Sequence, residues 1–202
     1  MKLLKIDSSI LGDNSATRQL STAIVDAFIA ANPIVTITSR DLVADPLPHF
    51  DGSSLPGVRP ENASHPDDGI LKEFLDADVV VIGAPMYNFA VPSQLKAWLD
   101  RILIAGKTFR YTETGPVGLA GGKRVLIASA RGGLDSPGMP SEANDFQETY
   151  LSAVFAFIGI DDVEFIRAEG LAFSPEHRAN ALEGALASVP DATERLITAL
   201  AA

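Results

Sequence analysis

One apolar run constrains the fold of this chain more than any other segment. Residues Val79–Ile82 are all β-branched and are followed directly by Gly83-Ala84-Pro85. A run that is apolar on both alternating faces is typical of a central strand in a parallel sheet that helices cover on both sides. Because proline lacks the amide hydrogen that a sheet ladder requires, we expect this strand to end at Pro85.

The loop after this strand carries Met86, Tyr87, Asn88 and Phe89. In open α/β sheets, ligands bind beyond the carboxyl ends of the strands. Two aromatic rings, one side-chain amide and the backbone amides suit a flat heteroaromatic ring with polar edges better than a metal or a phosphate. A well-packed strand-to-helix turn is the alternative for this loop taken alone.

A loop rich in hydroxyl side chains follows the first predicted strand, Lys2–Ile6, and helical periodicity begins directly after it. Ser15, Ala16 and Thr17 therefore lie at a helix N-terminus, where free amides and the helix dipole favour an anion. Ser15 as a simple helix cap is the alternative. Four hydroxyls exceed what one cap needs, so we expect a phosphate to bind here. The hydroxyl residues are Ser8, Ser9, Ser15 and Thr17.

The common phosphate-binding motifs do not describe this chain. No G-x-G-x-x-G follows the first strand, which disfavours a Rossmann dinucleotide site. The segment Gly121-Gly122-Lys123-Arg124 is not a P-loop, because Arg124 stands where Ser or Thr should hold magnesium and the segment precedes a strand. A hydroxyl-rich phosphate loop together with an aromatic loop favours a mononucleotide with a flat ring, namely FMN.

A third loop, Ala130-Arg131-Gly132-Gly133, follows the predicted strand Val125–Ser129. Its two glycines allow the backbone to approach a ligand edge closely. We expect this loop to reach the pyrimidine side of the flavin, where backbone amides stabilise negative charge on the reduced ring.

Strands and helices alternate along the 202 residues, which predicts one domain over residues 1–202 with helices on both faces of a parallel sheet. Five strands indicate an α/β, flavodoxin-like three-layer sandwich with strand order 2-1-3-4-5. A proline-rich loop over 44–66 and a hairpin over 108–118 interrupt the pattern; each either covers a ligand, bridges to a second subunit or is a solvated excursion. The remaining strands are predicted at Ile34–Thr38 and Val163–Ala168, and helices at Gly69–Leu75, Phe146–Ile158, Pro175–Leu186 and Asp191–Leu200.

Composition excludes several classes of function. The chain has no Cys, so it has no disulfide, thiolate metal site or cysteine nucleophile. Its net charge of −10 disfavours nucleic acid and anionic membrane surfaces as partners. No apolar run approaches the length of a membrane span, and we expect a cytoplasmic protein. The histidines share no metal-ligand spacing, and we expect no metal site; they are His49, His65 and His177.

Several segments together resemble the FMN-dependent NADH-azoreductases, also described as NADH:quinone oxidoreductases, of the flavodoxin-like superfamily. The most specific are Met86–Phe89 and Phe109–Glu113, and the likeness extends from the first strand to Gly170. The matching segments are Ser8–Leu11 with Ser15–Thr17, Pro85–Phe89, Thr108–Glu113, Arg131–Gly133 and Phe157–Ile160.

The resemblance implies a cytosolic homodimer with one FMN per subunit. It implies a ping-pong cycle in which NADH delivers a hydride to the flavin and leaves, after which a quinone or an aromatic azo compound takes up two electrons. The cofactor carries the chemistry, so no side chain is needed as a general acid or base. Tyr111 and Phe157 match family positions that wall the substrate pocket, partly from the neighbouring subunit.

Two departures from the family bear on specificity. A serine commonly stands where this chain has Ala130, and the loop over 134–142 is longer than usual. A flavodoxin-type one-electron carrier is the rival interpretation, since it would also be acidic and bind FMN, and a non-catalytic flavin-binding module is a third. The long loops favour an enzyme. The physiological acceptor stays open, and a preference for NADH over NADPH rests on the lack of an obvious basic cluster.

Overall fold

A five-stranded parallel sheet forms the centre of the computed structural model, which describes residues 1–54, 68–139 and 141–200. Its strands are β1 (Lys2–Asp7), β2 (Thr36–Asp41), β3 (Val79–Pro85), β6 (Arg124–Ala130) and β7 (Val163–Ala168), and a separate antiparallel pair consists of β4 (Phe109–Thr112) and β5 (Gly115–Gly118). The order across the sheet is β2-β1-β3-β6-β7. Counted over the sheet strands alone, this is the predicted order 2-1-3-4-5.

Helices cover both faces of the sheet. Their bounds are α1 (Ala16–Ala31), α2 (Asp68–Asp76), α3 (Ser93–Ile102), α4 (Phe146–Phe157), α5 (Pro175–Ala187) and α6 (Val189–Leu200). On one face, α1, α5 and α6 bury Leu20, Phe28 and Leu196 against the sheet. On the other, α2, α3 and α4 bury side chains that include Trp98 and Phe155. The apolar spacing within each helix thus gives two cores that share one sheet.

Strand β3 is buried along its whole length, as its uninterrupted apolar run predicts. It pairs with β1 on one side and with β6 on the other, and it ends at Pro85. Gly83 is required by packing: a Cβ at this position would lie 2.8 Å from Oδ1 of Asp7 and 3.3 Å from the carbonyl oxygen of Thr17. The first turn of α1 therefore rests directly on β3.

The second strand lies further along the chain than its hydrophobicity predicts. The prediction Ile34–Thr38 is wrong at both ends, since β2 starts at Thr36 and continues to Asp41. Ile34 precedes the strand and is 87% exposed. Because β2 is an edge strand with few buried side chains, its bounds follow backbone pairing with β1, which continues to the pair Asp7 and Asp41.

The predicted hairpin over 108–118 is confirmed as β4 and β5. Its second strand packs backbone against backbone on the end of α4, because a Cβ at Gly118 would collide with the backbone at Ile158 and Gly159. The predicted loop over 44–66 is described to Ser54, and residues 55–67 lie outside the described residues.

The segment set aside as a P-loop has a structural role. The ammonium group of Lys123 donates hydrogen bonds to the carbonyl oxygens of Leu75 and Ala77, at 2.6 and 2.7 Å. Burial lowers the pKa of Lys123. These bonds satisfy carbonyl groups at the end of α2, where the helix has no further amides to pair with them. Within the described residues, no helix is long and apolar enough to cross a membrane.

Candidate functional site

Three loops meet at the carboxyl edge of the sheet around a cavity of about 180 Å³, here called the central cavity. They follow β1, β3 and β6. Neighbouring strands β1 and β3 lead into helices on opposite faces, so the cavity lies at the topological switch point where open α/β sheets bind ligands. The predicted site residues that line it are Ser9, Ser15, Ala16, Thr17, Met86, Tyr87, Ala130, Arg131 and Gly132.

Helix α1 begins at the wall of the central cavity. The hydroxyl of Ser15 accepts a hydrogen bond from the amide of Arg18 at 3.2 Å and lies 3.0 Å from the hydroxyl of Thr17. Both side chains are buried. The amides of Ala16 and Thr17 belong to the first turn, where an α-helix offers no acceptor. Ser15 is thus a helix cap, and the two amides with the Thr17 hydroxyl are donors suited to an anion.

The two serines that follow β1 have different roles. Ser8 is buried and donates to the carbonyl oxygen of Gly83 at 2.7 Å, so it joins β1 to β3 and does not line the cavity. The hydroxyl of Ser9 lies 3.3 Å from that of Tyr87, which also accepts from the amide of Ile10 at 3.2 Å. Tyr87 therefore connects the loop after β1 to the loop after β3.

An ion pair supports the hydroxyl loop from the edge of the sheet. Arg18 donates to both carboxylate oxygens of Asp41, at 2.7 and 2.9 Å, and to the carbonyl oxygen of Ser9 at 3.0 Å. Hydrogen bonds from Arg18, and then from the amides of Val43 and Ala44, lower the pKa of Asp41 from 3.8 to about 2. In return, Asp41 raises the pKa of Arg18. The pair stays charged near neutral pH and fixes the backbone at Ser9.

The loop after β3 is a tight turn with unusual backbone angles. Tyr87 and Ala90 exchange both of their backbone hydrogen bonds, at 3.0 and 3.1 Å. Between them, Asn88 has φ = 50° and Phe89 has φ = 70°. Asn tolerates this left-handed region, whereas a side chain such as Phe occupies it at a cost of about 1–2 kcal/mol. Strained backbone of this kind is concentrated at functional sites.

The turn leaves fewer free amides than the sequence predicts. The amide of Met86 donates to the carbonyl oxygen of Ala130 at 2.7 Å, and the amide of Tyr87 is used within the turn. Across the part of the chain that the structure describes, the amides of Asn88 and Phe89 have no protein acceptor. These two amides and the exposed Asn88 side chain are the polar groups that the turn offers to a ligand.

A wider groove of about 650 Å³ adjoins the central cavity across this turn and is here called the β3 groove. Met86 and Tyr87 line both spaces, whereas Asn88 lines the β3 groove. Phe89 and Gly133 lie outside both. The structure therefore divides the predicted ring-binding residues between two adjacent surfaces.

The charged side chain of the loop after β6 points into the protein. Arg131 is fully buried and donates to Asp145 at 2.7 Å, to the hydroxyl of Ser129 at 3.0 Å, and to Glu148. Its Nε lies 3.7 Å from a carboxylate oxygen of Glu169. Because the side chain has no exposed surface, Arg131 contributes backbone to the wall of the cavity.

Sequence reasoning missed part of the wall that follows β7. The amides of Gly170 and Leu171 donate to the carbonyl oxygens of Gly133 and Arg131, at 2.7 and 3.1 Å. Leu171 and Arg178 both line the central cavity. Arg178 comes from α5 and donates to the carbonyl oxygen of Asn14 at 2.7 Å. The likeness to the family extends to Gly170, and this was the one sequence signal for the loop after β7. No sequence signal predicts that Arg178 lies next to Asn14.

The two predicted substrate-pocket residues lie together, away from the central cavity. The ring of Phe109 is 5.5 Å from that of Tyr111 and 4.7 Å from that of Phe157. Tyr111 is 74% exposed on the hairpin, and Phe157 ends α4. Neither residue lines the cavity formed by the other predicted residues of the same chain.

Comparison with known proteins identifies the family. A family model described as flavodoxin-like fold matches residues 1–191. The chain is 55% identical over 205 residues to the FMN-dependent NADH:quinone oxidoreductase of Stenotrophomonas maltophilia (strain K279a), covering 100% of both chains. It belongs to the FMN-dependent NADH:quinone oxidoreductase family. A second member, from Ralstonia nicotianae, is 52% identical over 98% of this chain and 100% of its own.

Solved structures agree with membership of this family and with the flavodoxin-like α/β fold. A crystal structure of an FMN-dependent NADH-azoreductase from Bacillus anthracis (strain Ames Ancestor) in complex with FMN has a TM-score of 0.86 to this chain. The two are 30% identical, and the match covers 97% of this chain and 99% of the other. The resemblance predicted from the sequence is thereby confirmed.

The residues present fit FMN. Buried hydroxyls and first-turn amides at a helix N-terminus are phosphate donors that require no metal, and the described residues contain no cluster of side chains that could hold one. Free amides on the β3 turn and glycine backbone after β6 provide donors and close approach for the polar edge of a planar ring.

Proposed function

We propose that this protein uses FMN to pass two electrons from NADH to quinones and aromatic azo compounds. The observation that carries the proposal is the meeting of three loops of different chemistry around one cavity at the switch point of the sheet. Relatives that match the chain over its full length bear the corresponding name. A one-electron carrier is not favoured, because these relatives are oxidoreductases.

Bound FMN supplies the capacity to accept a hydride and to return two electrons. The protein binds and orients it: a phosphate is held by the hydroxyl loop, the ring edge by the β3 turn, and the pyrimidine side by backbone after β6. We assign these roles to Ser9, Ser15, Ala16 and Thr17, to Met86, Tyr87, Asn88 and Phe89, and to Ala130, Arg131, Gly132 and Gly133.

The phosphate assignment is tested with Thr17→Ala. One hydrogen bond to a charged group contributes roughly 1.5–3 kcal/mol, so FMN affinity should fall about tenfold or more. Thr22→Ala is the matched control, because Thr22 is on the same helix but accepts a hydrogen bond from Lys5 on the exposed surface. Quenching of flavin fluorescence gives the dissociation constants. Equal affinities of Thr17→Ala and wild type, or a preference for FAD over FMN, would contradict the assignment.

The electron donor is tested without oxygen. Purified protein loaded with FMN is mixed with NADH, and the flavin absorbance is followed. We expect rapid bleaching in a single two-electron step, and slower bleaching with NADPH. Absorbance that stays constant with NADH would support the carrier instead.

The role of Asn88 is tested by Asn88→Ala. If its side chain bonds the ring edge, the variant should shift the flavin reduction potential and slow reduction by NADH, while the thermal midpoint of the apoprotein stays close to that of wild type. Unaltered potential and kinetics, with a changed midpoint, would make Asn88 a turn residue only.

We further propose a homodimer whose partner chain completes each site. Tyr111 and Phe157 form an aromatic group outside the cavity of their own chain, and a two-fold dimer would place such groups reciprocally. A flat acceptor would stack against these rings, which contributes about 0.5–1.5 kcal/mol beyond its buried area.

We infer that each chain is a single domain acting in the cytoplasm, consistent with its lack of Cys.

Mixing two impaired variants tests the shared site. Thr17→Ala lacks one phosphate contact, and Tyr111→Ala with Phe157→Ala lacks the aromatic group. If each site draws on both chains, mixed dimers should reduce the acceptor faster than either parent when FMN and acceptor are both limiting. The aromatic variant alone should raise the KM for the acceptor more than the Kd for FMN. A monomer that reduces quinones at the full rate would refute the shared site.

A further inference from the structure

The hydroxyls and amides at the phosphate end of the central cavity carry no full positive charge. A phosphate monoester carries about −1.5 to −2 charges at neutral pH, and the chain itself has a net charge of −10. Two arginines line the cavity, Arg131 and Arg178. The guanidinium of Arg131 is buried and neutralised by Asp145 and Glu148. Arg178 is therefore the cation left for an anionic ligand among the described lining residues.

Arg178 is positioned at the hydroxyl loop, and no acidic side chain among the described residues pairs with it. It projects from the first turn of α5, and its Nη2 donates to the carbonyl oxygen of Asn14, one residue before the Ser15 cap. Within the described part of the chain it forms no ion pair, in contrast to Arg18, which binds Asp41. A guanidinium carries five N–H donors in a plane, so one of them can hold the Asn14 carbonyl while others remain for a second acceptor.

We propose that Arg178 neutralises the phosphate of FMN and makes the site selective for phosphorylated flavin over riboflavin. The proposal rests on the proposed function, in particular on the phosphate lying at the N-terminus of α1. Planar N–H donors match phosphate oxygens, and a charge-assisted hydrogen bond is about twice as strong as a neutral one. Because Arg178 also fixes the Asn14 carbonyl, it connects α5 to the loop that holds the phosphate.

Arg178→Gln separates charge from hydrogen bonding, because Gln retains an N–H donor for the Asn14 carbonyl but has no charge. Arg178→Lys restores the charge without the planar geometry. Arg195→Gln is the control for net charge, since Arg195 lies on α6 and pairs with Glu164. Dissociation constants for FMN and for riboflavin are measured on each apoprotein by quenching of flavin fluorescence, at low and at high salt.

We expect Arg178→Gln to weaken FMN by about 10- to 100-fold and to leave riboflavin affinity nearly unchanged. Its FMN affinity should depend less on salt than that of wild type, because a screened charge pair is gone. Arg178→Lys should recover most of the loss, and Arg195→Gln should match wild type.

Two results would overturn the role of Arg178. Equal losses for FMN and riboflavin would show that it supports the fold of the loop rather than the phosphate. Unchanged FMN affinity in Arg178→Gln, with weakened binding in Thr17→Ala, would leave the phosphate site standing without Arg178. A wild-type protein that binds riboflavin as tightly as FMN would instead contradict the phosphate site itself.

Discussion

The loops after β1 and β6 occupy equivalent places at the carboxyl edge of the sheet but use their polar side chains in opposite ways. After β1, the hydroxyls of Ser9, Ser15 and Thr17 border the central cavity. After β6, the side chain of Arg131 turns away from the cavity into a group of carboxylates. One loop presents side chains to a ligand, and the other presents backbone.

The two loops use their side chains differently because different groups pack against them. Small hydroxyls at a helix N-terminus need no buried charge, because short local hydrogen bonds hold them in place. They can therefore line the cavity next to a ligand. A guanidinium that is buried needs acidic partners, and the N-cap and first turn of α4 bring Asp145 and Glu148 to it. We therefore expect substitutions after β1 to change ligand affinity, and the Arg131 substitution to change stability.

The largest expected effect is that of Arg131→Met. Removing this cation leaves Asp145 without an ion-pair partner and Glu148 with Arg167 alone, and breaking a buried ion pair costs about 3–5 kcal/mol of the free energy of unfolding. Urea unfolding of the apoprotein measures it. Arg195→Met, at an exposed ion pair with Glu164, should unfold close to wild type. If Arg131→Met kept wild-type stability and lost FMN affinity instead, the contrast between the two loops would be wrong.

Gly83→Ala should have the next largest effect and tests whether the hydroxyl loop depends on packing below it. The new Cβ would lie 2.8 Å from Oδ1 of Asp7 and 3.3 Å from the Thr17 carbonyl oxygen, so the Asp7 side chain must move and the first turn of α1 must yield slightly. We expect a loss of about 1–3 kcal/mol in stability together with weaker FMN binding. Gly69→Ala is the control, because its Cβ meets nothing within 4 Å. An undiminished FMN affinity would mean that the first turn of α1 adjusts freely.

Phe89→Gly should have a smaller effect and concerns the strained turn between the two loops. Glycine adopts φ = 70° without steric cost. Apoprotein stability should therefore stay the same or rise by up to about 1 kcal/mol, while flavin reduction by NADH slows. Thermal unfolding and rapid mixing give the two quantities. A clear loss of stability would show that the Phe89 ring is needed for packing rather than for function.

The smallest expected effect is a change in acid stability that involves Asp41. Its pKa is about 2 in the folded protein and 3.8 ordinarily, because Arg18 stabilises the carboxylate. Since the folded value is depressed, this contribution is complete above 3.8 and is lost as the pH falls through 2. Urea midpoints of Asp41→Asn should thus lie below wild type at pH 5 and approach it near pH 2. If the urea midpoints of the two proteins differed by the same amount at every pH in that range, the ion pair would not be the cause of the difference.

Local patterns in the sequence were enough to predict most of the fold. The β-branched run of β3, the proline that ends it, and the apolar spacing of the helices depend on neighbours in the chain, and the structure has these elements close to where they were predicted. The second strand was misplaced because edge strands are defined by pairing with another strand. The start of α1 was predicted because capping is also local.

The sequence by itself determined which loops carry ligand-binding chemistry, since each follows a recognisable strand. Tertiary structure alone decided where the side chains of those loops point. Ser8 bonds to Gly83, Arg131 to the N-cap and first turn of α4, and Arg178 to Asn14, across separations of 75, 14 to 17 and 164 residues. Such contacts depend on how distant elements pack and on which buried charges must be neutralised, and no local pattern encodes either.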